Sequence, residues 1–406
     1  MSLIVQKFGG SSVADAHHLY NVAKIITSTY SQGNDVVVVV SAQGDTTDHL
    51  LKKAYEVNNN PSKREMDAFI SAGEQMSASL LAMAIEHLGF SAISLTGWQA
   101  GFETDDCYGD AKITDIVTDR IKEEIKNKNI VILAGFQGIS AKNNITTLGR
   151  GGSDTSAVAI AAALEAESCK IYTDVDGIYT SDPRIVPSAK KINEISYDEM
   201  YELSYRGAQV MNDRSILTAK KHKVKVEVLS SMLNKNRGTI INDTPIKNNI
   251  CSGIAVINKV VKLTLTNINS ENNTVNKLLE SLKKININAD ISLRTVGQSD
   301  GKNFSFTIPE SKLPQAMKII NNLFPFDGES QVFYEKDKSK ISVINISENI
   351  NINIASIIFE ILSEAKIDIE MVACDNKRVT ILLPTLNMSD AVNIIHSKLF
   401  EEDNLI

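Results

Sequence analysis

Two hydrophobic patterns alternate from residue 1 to about residue 245. The first is a short β-branched run, apolar at successive positions, of which Val36-Val37-Val38-Val39-Val40 is the clearest. A strand apolar on both faces is one that is covered on both faces, so these runs predict a mostly parallel sheet sandwiched between helices. The pattern predicts strands over Leu3–Lys7, Val36–Ser41, Ala92–Leu95, Ile130–Ala134, Lys170–Thr173 and Val226–Leu229. The second pattern is longer and of helical period, over Ala16–Tyr30, Lys63–Leu88 and Ser153–Leu164. Strand-helix alternation of this kind predicts an α/β fold.

The character changes after about residue 245: glycine becomes sparse and the units shorten. Strand, helix, strand, strand and helix are expected in turn over Val260–Thr266, Val275–Lys284, Ala289–Arg294, Asn303–Ile308 and Leu313–Leu323. The same order recurs over Lys340–Ile346, Ile354–Ala365, Asp368–Ala373, Arg378–Leu383 and Met388–Leu399. Such an internal repeat predicts two small βαββαβ units. The expected division is 1–245, 246–335 and 336–406.

Composition narrows the function classes. With 43% hydrophobic and 22% charged residues the chain is an ordinary globular sequence. A net charge of -7 without any long basic tract argues against nucleic acid as the main partner. No apolar run near the start is long enough to cross a bilayer, and no basic region, apolar stretch and cleavage site follow Met1. No membrane association and a cytoplasmic location are therefore expected. Four scattered cysteines (Cys107, Cys169, Cys251, Cys374) read as small buried hydrophobes rather than a disulfide framework or zinc site.

Five segments carry chemistry, most of them just past a predicted strand, where a doubly wound sheet binds ligands. Lys7-Phe8-Gly9-Gly10-Ser11-Ser12-Val13 offers a mobile cation and two glycines whose backbone N–H groups could approach an anion, though a plain strand-helix turn reads the same way. It lacks the spacing of a Walker A loop. Gly149-Arg150-Gly151-Gly152-Ser153-Asp154 opens an alanine-rich helix. Here Arg150 offers a planar fork for a carboxylate, and Ser153 or Asp154 is an available helix cap. Thr173-Asp174-Val175-Asp176-Gly177-Ile178-Tyr179 runs on to Arg184 and could wall a nucleotide pocket, or form a hairpin. Ser41 to Asp48, with Thr47, supplies small hydroxyls that hold substrate or cap a helix. Glu74, within Ser71 to Ala78, is a carboxylate in small apolar surroundings, which a substrate ammonium would pair unless it faces water. None of the six histidines falls inside these segments. A carboxylate nucleophile needs no such base, being ionised already with a pKa of about 4.

In that order, Lys-Phe-Gly-Gly-Ser-Ser-Val, Gly-Arg-Gly-Gly-Ser-Asp-Thr and Tyr-Thr-Asp-Val-Asp-Gly-Ile-Tyr-Thr-Ser-Asp-Pro-Arg closely resemble the aspartokinases of the amino acid kinase family. Gly135–Gly138 and Arg64-Glu-Met-Asp67 look like that family too. The resemblance covers almost all of residues 1–240 and implies transfer of the ATP γ-phosphoryl group to L-aspartate, with Mg2+. It implies lysine, threonine and methionine biosynthesis with feedback regulation. It makes Lys7 and Asp154 catalytic, and it places Thr47, Glu74 and Arg150 on aspartate with Ser41 and Ser153 close by. It lines the nucleotide pocket with Lys7, Gly9, Gly10, Thr173, Asp174, Tyr179 and Arg184. The tail resembles paired ACT domains, which implies lysine or threonine as effector and a homodimer or higher homo-oligomer. Asn288 and Asp290 are its candidate effector contacts. Two departures stand out: Gln209 replaces a lysine common in relatives, and the loops Asn267–Asn273 and Ile344–Ile350 lack glycine. Another amino acid kinase, of the glutamate 5-kinase or acetylglutamate kinase type, and a catalytically weak amino-acid sensor remain the alternatives.

Overall fold

Val36 to Val40 are all buried in the strand Asp35–Val40, because helices cover both faces of the sheet it belongs to. The structure is a computed structural model that describes residues 2–208, 210–232, 237–244, 251–268, 272–285, 287, 289–296, 302–324, 331–344 and 354–401. Two compact units divide the chain: Met1–Ile178, Lys191–Tyr205 and Gln209–Ile246 form the first, and Tyr179–Lys190, Arg206–Ala208 and Lys247–Ile406 form the second.

The sheet of the first unit runs in the order Glu194–Ser196, Thr239–Asn242, Val226–Ser230, Ser168–Thr173, Leu3–Phe8, Asp35–Val40, Ile130–Ala134, Ala92–Leu95. Every neighbouring pair is parallel except Val226–Ser230 with Thr239–Asn242. Side chains alternate across it with period two. Phe8, Val36, Val38, Val40, Ile130 and Ile132 pack with Ile26, Leu81 and Ile85 of the helices Ala16–Ser31 and Ala72–His87. Lys7 is one residue out of phase with Phe8 and so projects from the opposite face, where the helix Gly152–Ala163 lies.

The helical stretch predicted over Lys63–Leu88 breaks at Ser71 into Lys63–Ile70 and Ala72–His87. At that point Gln137 Nε2 donates to the Ser71 carbonyl at 2.8 Å, a contact made by a residue distant in sequence. By length and composition Lys63–His87 could cross a membrane, yet 56% of its most apolar window is buried within the fold. A second small sheet, Ile113–Ile116, Phe102–Thr104, Gln137–Ser140 and Ile145–Thr147, escaped the sequence pattern because its strands are only three or four residues long.

In the second unit the expected repeat is present, merged into one antiparallel sheet. Its order is Asp290–Val296, Lys302–Pro309, Gly253–Ile268, Gln331–Ile344, Arg378–Pro384, Met371–Asp375. The two long central strands pair from Gly253↔Ile344 to Thr266↔Gln331. Their register shifts around Val260, where Lys259 and Asp337 both take positive φ. Of the cysteines, Cys169 and Cys251 are buried as expected, whereas Cys107 in a turn and Cys374 on an edge strand are exposed.

Candidate active site

Parallel strands leave their carboxyl ends on one edge, and three of the singled-out segments start there. Lys7 is the penultimate residue of its strand, Ser41 follows Val40, and Thr173 closes Ser168–Thr173. The Lys7 ammonium lies 2.6 Å from Asp154 Oδ1, and both side chains are about nine-tenths buried. Asp154 is not the helix cap. That position falls to Gly151, at φ 69°, with no side-chain cap hydrogen bond, so Ser153 and Asp154 lie inside the first turn. From there a carboxylate benefits from the helix N-terminus while reaching Lys7.

A cavity of about 580 Å³ opens beside this pair, lined by Lys7, Ser41, Thr47, Glu74, Arg150, Ser153 and Asp154 among others. Seven residues picked from four separate segments thus share one wall. Glu74 is only 4% exposed, which overturns the reading that puts it on a wet helix face. Its Oε1 accepts from the Ala42 N–H at 3.1 Å, while its Oε2 is buried with no hydrogen-bond partner. Burial pushes its carboxyl up to about 7, against the pull of the Ala42 N–H. Arg150 is exposed at the rim, and its backbone carbonyl accepts from Asn212 Nδ2 at 2.8 Å. Thr47 lies in the first turn of Thr46–Val57.

The glycines answer to packing more than to an anion nest. The Gly9 N–H donates to the Tyr172 carbonyl at 3.2 Å and is not free for a phosphate. A Cβ on Gly9 would stand 3.6 Å from Lys7 Nζ, and one on Gly10 would stand 2.6 Å from the Ala42 carbonyl. Gly151 similarly admits Asn212 at 2.5 Å from where its Cβ would be.

Gly9, Gly10, Thr173, Asp174, Tyr179 and Arg184 do not line this cavity. Thr173 Oγ1 donates to Asp174 Oδ1 at 2.9 Å, and its carbonyl accepts from the Ser231 N–H at 3.0 Å. Tyr179 and Arg184 belong to the second unit. Arg184 grips Asp182 there, Nη2 to Oδ2 at 2.7 Å and Nε to Oδ1 at 3.0 Å, and that grip holds the Asp182 carboxyl below its ordinary value.

Three features of the cavity had no role assigned from the sequence, although Asp67 and Phe136 lie in segments that resemble the family. Asp67 is 1% exposed and accepts from two backbone N–H groups and a hydroxyl. Phe136 lines the wall at φ 70°, a strained value for a bulky residue, held because its N–H donates to Ser156 Oγ and its carbonyl accepts from the Leu148 N–H. Tyr108, Gly109 and Asp110 bring in a loop that no pattern marked. Among the described residues no group of three or more His, Cys, Asp or Glu side chains gathers as a metal site.

In the second unit, Asp290 is already engaged: Arg206 Nη1 lies 2.6 Å and Lys340 Nζ 2.8 Å from its Oδ2. Gln209, Asn288 and the loop residues 269–271 and 345–350 lie outside the described residues.

The family model described as "Amino acid kinase family" matches residues 2–230. An aspartokinase of Geobacillus stearothermophilus is 43% identical over 98% of this chain and 97% of its own length. Aspartokinase III of E. coli in complex with aspartate and ADP superimposes with a TM-score of 0.82 over 98% of this chain and all of its own, at 24% identity. The same enzyme in complex with lysine and aspartate gives a TM-score of 0.76 over 98% and 99%, again at 24%. At that identity these two establish the shared fold.

Proposed function

The chain belongs to the amino acid kinase family and is an aspartate kinase, and on that premise we propose how its residues move the ATP γ-phosphoryl group to the side-chain carboxylate of L-aspartate, giving 4-phospho-L-aspartate. The acceptor is ionised already, so the protein's task is positioning and charge neutralisation. In this reading the Lys7 ammonium neutralises the transferring group, and Asp154 holds that ammonium in place. The observation that carries the substrate half is the partnerless Oε2 of Glu74, a buried carboxylate oxygen that a substrate ammonium would satisfy. Arg150 takes the substrate's α-carboxylate as a fork, and the hydroxyls of Ser41, Thr47 and Ser153 complete the wall.

Lys7, Gly10, Thr173 and Asp174, all of the first unit, are the residues this reading gives to the nucleotide. Magnesium fits as the nucleotide's companion, since that ion keeps its waters and phosphate oxygens and takes only one or two protein carboxylates. Asp154, which lines the cavity, is the carboxylate that would hold it. When bound, it neutralises phosphate charge. Catalysis is assigned to residues 1–245 and sensing to 246–335 and 336–406, with lysine or threonine as the effector to test and a cytoplasmic homodimer or higher homo-oligomer as the assembly.

Coupled ADP release measured with aspartate, glutamate and N-acetylglutamate, on the wild type and Glu74→Gln, tests the assignment. Turnover with aspartate and a large rise in its KM in the variant are expected. An unchanged aspartate KM would remove Glu74 from the substrate site.

A further inference from the structure

We propose that Asp67 is a positioning residue for the substrate half of the site, stapling together the two loops that form one wall of the aspartate cavity. The inference rests on the reading that this cavity takes aspartate. Asp67 sits in the helix Lys63–Ile70 with its carboxylate buried at the cavity wall. Its Oδ2 accepts from the Gly109 N–H and from the Thr147 N–H, each at 2.9 Å, and its Oδ1 accepts from Thr147 Oγ1 at 2.9 Å.

Those bonds tie down loops distant in sequence. Gly109 lies between Tyr108 and Asp110, which line the cavity with it. Thr147 ends the strand Ile145–Thr147 and stands two residues before Gly149, the start of the loop that carries Arg150 and leads into the helix turn of Ser153 and Asp154. The two loops also touch each other, because a Cβ on Gly149 would meet Asp110 Oδ1 at 2.9 Å and the Gly109 carbonyl at 3.3 Å. Three donors converge on Asp67 and none of them is a cation, so its hydrogen bonds all come from dipoles, with the Lys63 ammonium acting only through space. Burial raises its pKa, and the N–H groups of Gly109 and Thr147 and the Thr147 hydroxyl draw it back down. A carboxylate kept in such a place, although it is costly to bury, is explained by what it holds together. A wall displaced by an ångström misplaces the Arg150 fork and the Ser153 hydroxyl.

Asparagine can reproduce the network. Its carbonyl takes the place of Oδ2 and accepts both N–H groups, and its amide donates to Thr147 Oγ1, which then serves as acceptor. Alanine reproduces none of it.

Initial rates as a function of aspartate and of ATP, on Asp67→Ala and Asp67→Asn with thermal melting alongside, decide the point. Asp67→Ala is expected to raise the aspartate KM at least tenfold with the ATP KM within twofold, and Asp67→Asn to return the aspartate KM to within threefold of wild type. An aspartate KM unchanged in Asp67→Ala, or both KM values rising alike, overturns the proposal. An aspartate KM that stays high in a well-folded Asp67→Asn also overturns it, because the charge itself would then be touching substrate. Should Asp67→Ala fail to fold, Thr147→Val decides: a selective rise in aspartate KM supports the proposal and none refutes it. Glu74→Gln run in parallel separates this from the underlying reading. If it too leaves the aspartate KM unchanged, the cavity is not the aspartate site; if it alone raises that KM, only the role of Asp67 falls.

Discussion

The ammonium of Lys7 and the carboxylate of Asp154 stand 2.6 Å apart across 147 positions of sequence, one at the end of the first strand and the other in the first turn of a helix. A strand residue out of phase with the opposite-face core meets a buried first-turn carboxylate, which the helix N-terminus also favours. Replacing Lys7 by Ala is expected to lower kcat by about 10²–10³, the scale of a lost transition-state donor. Asp154→Ala should lose a comparable factor, and the double variant little more than either, since residues acting as a unit are not additive. Single-turnover ADP formation checks this.

Glu74 predicts a pH dependence with a definite sign. Its carboxyl is raised from 4.5 to about 7 by burial. The folded chain therefore holds this proton more tightly than the unfolded one. The stability this confers is present below pH 4.5, falls as the pH rises, and is gone above about 7. Glu74→Gln should accordingly melt higher than wild type at pH 8, by up to about 3 kcal/mol, and nearly equal to it at pH 4.5. Binding a substrate ammonium needs the ionised form, so wild-type kcat/KM for aspartate should decline as the pH falls below about 7. Calorimetry and a pH–rate profile report the two effects separately.

Gly10→Ala places a methyl 2.6 Å from the Ala42 carbonyl, closer than any real contact. The loop that must yield carries Ser41 and the Ala42 N–H that holds Glu74. A loss of about 1–3 kcal/mol in stability and a raised aspartate KM are expected, read by thermal melting and initial rates.

Asp290 is driven the other way. Burial raises its carboxyl, but the Lys340 ammonium and the Arg206 guanidinium outweigh that and bring it to about 2. Its contribution is present above pH 3.8 and is lost as the pH falls toward 2. Asp290→Asn removes the carboxylate charge that faces two buried cations and should destabilise by about 2–4 kcal/mol at pH 7, measured by urea unfolding.

His396 is fully buried, with Nε2 2.8 Å from Thr180 Oγ1 and its ring stacked on Phe400 at 4.8 Å. Burial lowers its pKa, and the Glu401 carboxylate pulls it part of the way back. Its contribution to stability is therefore present above pH 6.5 and lost as the pH drops below it. His396→Gln should flatten the slope of Tm between pH 6.5 and 5, and an unchanged slope would exclude this histidine as its source.

The alternating β-branched runs were enough to place the parallel sheet, since strands covered on both faces must be apolar at every position. The glycine-rich segments marked Lys7 and the stretch Arg150 to Asp154 as anion-friendly, but it was the resemblance to the aspartokinases that put them in one site. The repeat in the tail was legible from its strand and helix periods. Hydrogen bonds and backbone angles set by distant residues were not. Gln137 reaches the Ser71 carbonyl from 66 residues away. Asp67 meets Gly109 and Thr147 only after three separate elements have folded together. The left-handed backbone of Phe136 leaves no mark on its own side chain. His396 lies outside every motif, yet it reaches into one of them across 216 positions. Periodicity is a property of neighbours along the chain, so sequence alone determined the long elements and the edge of the main sheet where Lys7, Ser41 and Thr173 collect. Which buried polar group meets which donor depends on packing between elements, and that was decided only in three dimensions.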